Sequence, residues 1–460
     1  MLQRKFPGPL LAIVCGVALW FLYFFGLTRV GVLGPDEPRY AAIGRAMTDS
    51  GDWITPRLWA QPWFEKPPFI YWLTATGFNL GLGPEAAPRI GVALISVVFL
   101  VCFFLALRPQ FGQRAALLSA TILATCAGWL AFSHLGLPDL PMSAVFAMAM
   151  LTAASGQLRP ARVITAGVLL GVAILAKGLI PLVLFLPALW LLRKEPLKAA
   201  CIIGLGVVVA APWYLLVLSR NGPRFLDVFF VQQQFSRFIS GKFLHAQPFW
   251  FYIPVLAGGI FPWTPLAPLL FSKRLYEDRR VRFLLAWAAF GFVFFSASRG
   301  KLPGYLLPLL PPIAALLGIA IDQAPRRSLT LLGGLAAAAA LLFLVPTAQA
   351  ALPQALTGGI GHAPIRFFAA WLAPVALVAG LCLFLELRDR RLAAVMKVAA
   401  FTTIFIANFV WQGFPLLDKT VSGRSTWNNS TQPITCVPRD RQYLRYGLDY
   451  YAGRELPDCK

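Results

Sequence analysis

The chain has 460 residues, 58% of them hydrophobic and only 13% charged, with a formal net charge of +22. Soluble globular domains carry nearer a quarter charged residues, and here the apolar residues come in blocks about twenty long, enough to cross a hydrocarbon core. A soluble enzyme is excluded, and so is a nucleic-acid binder, because the basic residues lie between apolar blocks in the juxtamembrane pattern rather than in one patch.

Taken in chain order, the first block, Pro9 to Gly26, follows Arg4 and Lys5 and reads as an uncleaved first span, since no small-x-small cleavage site comes after it. The segment Pro35 to Pro84 mixes charges, prolines, Trp53, Trp59, Trp63 and Trp72, a composition that suits interfacial helices lying along the membrane. Twelve further blocks run over residues 86–107, 115–132, 139–157, 162–176, 178–192, 199–218, 249–271, 283–298, 304–321, 328–346, 365–386 and 393–411. All thirteen spans must be helical, because an open sheet cannot satisfy its backbone in lipid.

With the N-terminus in the cytoplasm, the short loops on that side collect Arg108, Arg114, Arg159, Arg162, Arg193, Lys194, Lys198, Arg326, Arg327, Arg388, Arg390, Arg391 and the Lys273–Arg282 cluster. The short loops of the other face hold only Lys177, Arg299, Lys301 and Arg366. The positive-inside rule therefore sets this orientation. The long loops 31–85, 219–248 and 346–364 and the tail all fall on the outer face, where function concentrates. The expected organisation is a transmembrane domain over 1–410, with 31–85 as its functional loop, and a small outer tail over 411–460. In that tail lie Cys436 and Cys459, which form a disulfide if the compartment is oxidising and are free thiols otherwise.

Chemistry-bearing residues recur on the outer face. Gly34-Pro35-Asp36-Glu37-Pro38-Arg39-Tyr40 sets two carboxylates and an arginine directly after a span. Asp36 is read either as a helix N-cap or as a fixed, desolvated base. Glu65-Lys66 precedes two prolines, which hold the backbone in a defined extended form. Asp139 stands at the head of a span, where an ionisable group caps the helix or faces a cavity or partner. Lys177 sits between two apolar blocks. Arg299, Lys301 and Tyr305 offer two cations and a hydroxyl, a set that suits a phosphate.

The runs Asp36-Glu37-Pro38-Arg39-Tyr40, Gly51-Asp52-Trp53 and Phe64-Glu65-Lys66-Pro67-Pro68 resemble those of the aminoarabinose transferases and related protein mannosyltransferases. The likeness continues through Leu137-Pro138-Asp139, Ala176-Lys177-Gly178, Pro248-Phe249-Trp250-Phe251-Tyr252, Phe261-Pro262-Trp263 and Lys301-Leu302-Pro303-Gly304-Tyr305, and covers about residues 1–325. The resemblance implies an all-α, polytopic GT-C-type glycosyltransferase of the bacterial inner membrane. It implies inverting transfer of a sugar from undecaprenyl phosphate to a lipid A-like or other envelope acceptor at the periplasmic face. Asp36, Glu37, Arg39 and Asp139 would be catalytic. Lys66, Lys177, Arg299, Lys301 and Tyr305 would face the donor phosphate. Glu65 would hold a divalent metal (zinc, magnesium or manganese), with His245 as a second ligand, because Gln232-Gln233 stands where family members often carry Glu-His. The short tail departs from the larger C-terminal domain of the aminoarabinose enzymes, and Tyr443, Tyr446, Tyr450 and Tyr451 within it are candidates for shaping acceptor access. A transporter or lipid flippase is the alternative, but such proteins place charges near the bilayer midplane and carry repeats; this chain gathers its charges on one face.

Overall fold

The computed structural model describes residues 9–156, 158–236, 247–358, 366 and 368–459. Every one of the thirteen apolar blocks is occupied by helix. Among the described residues, six helices are long and apolar enough to cross a membrane unaided: Ala86–Thr125, Pro160–Lys177, Pro196–Asn221, Arg279–Ala297, Pro303–Gln323 and Arg391–Val421. Shorter apolar helices cover Ile13–Tyr23, Asp139–Ala153, Ile180–Leu191 and Leu372–Leu387. The spans predicted over 86–107 and 115–132 fall largely in one continuous element, interrupted at Gly112, whose φ of 86° takes the chain out of helical geometry.

One predicted span is corrected. Residues 249–271 form two pieces, Phe249–Gly259 and Thr264–Phe271, bent by 109°. Gly258, Gly259, Pro262, Pro265 and Pro268 lie at or beside the break; hydropathy registers the apolar block but not its helix breakers. The block at 328–346 is likewise bent, by 45°, between Leu329–Leu341 and Leu344–Thr357.

We label the elements that carry the site α1 (Pro9–Tyr23), α2 (Asp36–Ser50), α3 (Phe69–Asn79), α4 (Ala86–Thr125), α5 (Ala127–Ser133), α6 (Asp139–Ala153) and α7 (Pro160–Lys177). The interfacial segment resolves into α2, a two-residue antiparallel hairpin pairing Arg57–Leu58 with Gln61–Pro62, and α3. Small residues let these helices close on one another. A Cβ at Gly44 of α2 would stand 2.5 Å from Thr74 of α3, and one at Gly171 of α7 would stand 2.6 Å from Val209 of the Pro196–Asn221 helix. Hydrocarbon offers no hydrophobic drive between helices, so close backbone approach supplies much of their attraction.

The helix beginning at Arg391 runs to Val421, past the predicted end of its span. Beyond it the chain turns back onto the first loop. Leu33 bridges to Ser422, the Gly31 amide donates to Asp418 at 2.7 Å, and Arg424 donates to the carbonyls of Thr28 (2.7 Å) and Arg29 (2.9 Å). Tail and first loop therefore share a face. The tail has its own small core of Val437, Leu444, Leu448 and Leu456, and Cys436 is disulfide-bonded to Cys459.

Candidate active site at the loop-rich face

Two prolines set the starts of two helices. Pro35 and Pro138 occupy the position before α2 and α6, so Asp36 and Asp139 are the first helical residues. Neither carboxylate caps its helix; each reaches sideways to a cation. Helix N-termini favour negative charge, so each carboxylate stands where the backbone attracts it, with its oxygens not consumed by capping.

Asp36 forms a short ion pair with Arg39 one turn on. Arg39 also reaches Glu65 at 3.2 Å, and Glu65 in turn meets Lys66 at 3.3 Å and accepts from the Tyr40 hydroxyl at 3.4 Å. Burial works against the Arg39 charge, but Glu65 and Asp36 outweigh it and hold the guanidinium above its usual range. Burial, and then the Glu65 charge, pushes the Tyr40 and Tyr71 hydroxyls well above the usual phenol range, so both keep their protons. Of the two acids in this cluster, only Asp36 is open, with its side chain 37% exposed against 6% for Glu65.

A second cluster joins Asp139 to Lys177, the last residue of α7, at 2.5 Å. The Lys177 ammonium lies 4.8 Å from the centre of the Tyr305 ring. Gly304 permits this approach: a Cβ there would stand 2.7 Å from Asp139 and from Phe132. On the same loop Lys301 is buried and donates to the carbonyls of Gln247 (3.1 Å) and Ser298. Burial lowers its pKa from the usual lysine value. Among the described residues it has no carboxylate partner, which distinguishes it from Lys66 and Lys177. Arg299, expected beside it, is exposed.

Glu37 is a correction to the sequence reading. It is 1% exposed and faces away from Asp36, and both its oxygens are saturated. Arg89, itself 0% exposed, donates to them through Nε and Nη2 at 2.7 Å each, and the amides of Leu33 (2.7 Å) and Gly136 (2.8 Å) complete the set. The remaining Arg89 protons go to the carbonyls of Leu27 (2.6 Å), Val30 (2.7 Å) and Gly31 (2.8 Å). A carboxylate with four donors and no open face cannot take a substrate proton; it is a structural knot. That knot ties the residue after Asp36 to Gly136, three residues before Asp139, and so holds the two acid-bearing helix starts beside each other. Arg89 escaped the sequence reading because it sits in the first turn of an apolar block, where an arginine reads as an interfacial charge.

The metal expectation rests on Glu65 and His245. His245 lies outside the described residues. Glu65 is already flanked by Arg39 and Lys66, two cations that oppose a divalent ion, and no three His, Cys, Asp or Glu side chains converge among the described residues. The described residues do not fit a divalent metal ion.

An apolar cleft of about 250 Å³ opens beside the second cluster, lined by Phe132, Gly128, Gly259, Pro303, Leu306 and Leu310 among others. Phe132 and the 303–305 turn belong both to this cleft and to the surroundings of Asp139.

Residues 65–218 match the family described as dolichyl-phosphate-mannose-protein mannosyltransferase. An undecaprenyl phosphate-alpha-4-amino-4-deoxy-L-arabinose arabinosyl transferase of Pseudomonas fluorescens is 32% identical over 369 residues, covering 74% of this chain and 62% of the relative. The corresponding enzyme of Pseudomonas paraeruginosa is 34% identical over 333 residues, covering 68% and 60%. The chain thus spans about three fifths of the length of these relatives. The solved structure of ArnT from Cupriavidus metallidurans bound to undecaprenyl phosphate superposes with a TM-score of 0.76 at 29% identity, over 97% of this chain and 85% of that one. Arabinosyltransferase EmbB from Mycobacterium smegmatis shares the fold alone, with a TM-score of 0.53 at 13% identity over 90% of this chain and 42% of that one.

Proposed function

The chain belongs to the aminoarabinose transferase-like family of GT-C integral-membrane glycosyltransferases, and we propose that it moves a sugar from undecaprenyl phosphate to an envelope acceptor, a lipid of the lipid A class in the first instance. The reading is supported most by one observation: the Glu37–Arg89 knot holds the start of the helix bearing the open Asp36 carboxylate beside that bearing the Asp139–Lys177 pair, next to an apolar cleft and to the turn that carries Lys301, which has no carboxylate partner among the described residues.

The donor's prenyl chain lies in the cleft lined by Phe132, Pro303 and Leu310. Its phosphate meets Lys301, which has no carboxylate partner among the described residues, with Lys66, Lys177, Arg299 and the Tyr305 hydroxyl around it. The bond between the anomeric carbon and the phosphate oxygen breaks, and its electron pair leaves on the phosphate. Lys301 stabilises that developing charge in a low-dielectric site, where such stabilisation is largest. An acceptor hydroxyl attacks from the opposite side and inverts the anomeric carbon, and Asp36 takes its proton. If the acceptor is itself a phosphate, no proton is transferred and Asp36 only orients. The positive-inside pattern supports a periplasmic position for this face, with the N-terminus in the cytoplasm of a bacterial inner membrane.

Mass spectrometry of envelope lipids from cells with and without the protein tests the reading. A glycosylated lipid that disappears with the gene and with Asp36→Asn supports it. Unchanged envelope lipids and glycoproteins, together with transport of a lipid-linked sugar across the bilayer, would favour the flippase alternative instead.

A further inference from the structure

The C-terminal tail reaches the site through one aromatic side chain. The ring centre of Tyr446 lies 5.0 Å from the guanidinium carbon of Arg39, and that of Trp63 lies 5.6 Å from it. The edges of the same guanidinium are occupied by Asp36, by Glu65 at 3.2 Å and by the Pro35 carbonyl at 2.9 Å. Tyr446 is placed from outside the loop, by tail contacts that bind elsewhere. The Tyr450 hydroxyl donates to the Pro84 carbonyl at 2.8 Å and accepts from Arg45 at 3.0 Å. The Tyr451 hydroxyl donates to Glu85 at 3.0 Å and accepts from the Val32 amide at 3.3 Å. The Cys436–Cys459 disulfide and the Leu456 amide, which donates to Asp449 at 2.9 Å, close the segment that carries them. These anchors hold the Arg445–Ala452 helix against α2, and Tyr446 is left 37% exposed where it meets Arg39.

We propose that Tyr446 is a positioning residue, which fixes the Arg39 guanidinium against Asp36 so that the disulfide-closed tail is a working wall of the active site. An arginine facing two carboxylates and solvent has several orientations of similar energy. A ring on its face removes those that swing toward water. The proposal rests on the assignment of Asp36 as the acceptor-side carboxylate.

The test uses purified full-length protein, undecaprenyl-phosphate-linked aminoarabinose as donor and lipid A as acceptor. Tyr446→Ala is expected to lower kcat about tenfold, the size of a partly desolvated cation–π contact, with the donor KM unchanged. Tyr446→Phe keeps the ring and restores wild-type kcat. The Cys436→Ser/Cys459→Ser double variant lowers kcat as well, and adding Tyr446→Ala to it lowers kcat little further, because both act on one contact. The proposal is overturned if Tyr446→Ala keeps wild-type kcat, if its defect lies in KM, or if Tyr446→Phe is as impaired as Tyr446→Ala. Asp36→Asn separates the two levels. If it abolishes transfer while Tyr446→Ala is wild type, the positioning role falls alone; if it too is wild type, or the wild-type protein transfers nothing, the functional reading falls with it.

Discussion

Glu37→Gln discriminates between a structural knot and a catalytic acid. The substitution preserves shape but removes the charge that balances Arg89, whose side chain is 1% exposed. It also turns one oxygen into an NH2 group. Whichever way the amide turns, that group points at Arg89 Nε and the Gly136 amide, or at Arg89 Nη2 and the Leu33 amide, donors facing donors. Removing one partner of a buried pair costs about 3–5 kcal/mol. At roughly 2 °C per kcal/mol, the lower end of what domains smaller than this chain show, the thermal midpoint should fall roughly 6–10 °C. The assay is thermal unfolding of purified protein in detergent, followed by intrinsic fluorescence, beside transfer measured well below the new midpoint. Residual transfer should remain, because Asp36 and its Arg39 partner are untouched. A Glu37→Gln protein with a wild-type midpoint and no transfer would refute the reasoning and return Glu37 to the chemistry.

Three further outcomes follow from the same geometry. Lys177→Ala leaves Asp139 without its 2.5 Å partner and should lower transfer by about tenfold or more, whereas an Asp139→Asn/Lys177→Met pair should lose less stability than either single change; thermal midpoints of the three variants check this. Gly304→Val forces a side chain toward Asp139 and Phe132 and should weaken transfer without preventing insertion, as read by product formation at equal membrane content. Burial lowers the Lys301 pKa, so this lysine sheds its proton at a lower pH than a surface lysine. Binding of undecaprenyl phosphate should therefore weaken as pH rises toward, but still below, the usual lysine value of about 10.4. Lys301→Arg should hold its binding constant through that window; equal pH profiles for wild type and Lys301→Arg would contradict the assignment.

Much of this architecture was legible in the residues because lipid enforces it. Backbone satisfaction makes each apolar block helical; the motifs at Asp139, Lys177 and Lys301 sit where blocks begin or end, and those at Asp36 and Glu65 lie in the interfacial segment between the first two blocks. What sequence could not carry was pairing across distance. Glu37 and Asp36 are neighbours in the chain, yet a helix turns adjacent residues about 100° apart, so one meets solvent and the other Arg89. The 249–271 block satisfied hydropathy while its glycines and prolines broke it, because a sliding average does not weigh helix breakers. The tail tyrosines were visible as a group, but nothing in their spacing distinguished Tyr446, which touches Arg39, from Tyr450 and Tyr451, which fasten the helix to the loop.

The most direct test of the account is donor consumption by purified protein in lipid nanodiscs. Undecaprenyl-phosphate-linked aminoarabinose and lipid A are supplied, and released undecaprenyl phosphate is measured by mass spectrometry for wild type, Asp36→Asn and Lys301→Gln. The account predicts release with stoichiometric product for wild type, none for Asp36→Asn, and a loss of at least about tenfold for Lys301→Gln. Equal release by all three proteins would contradict it.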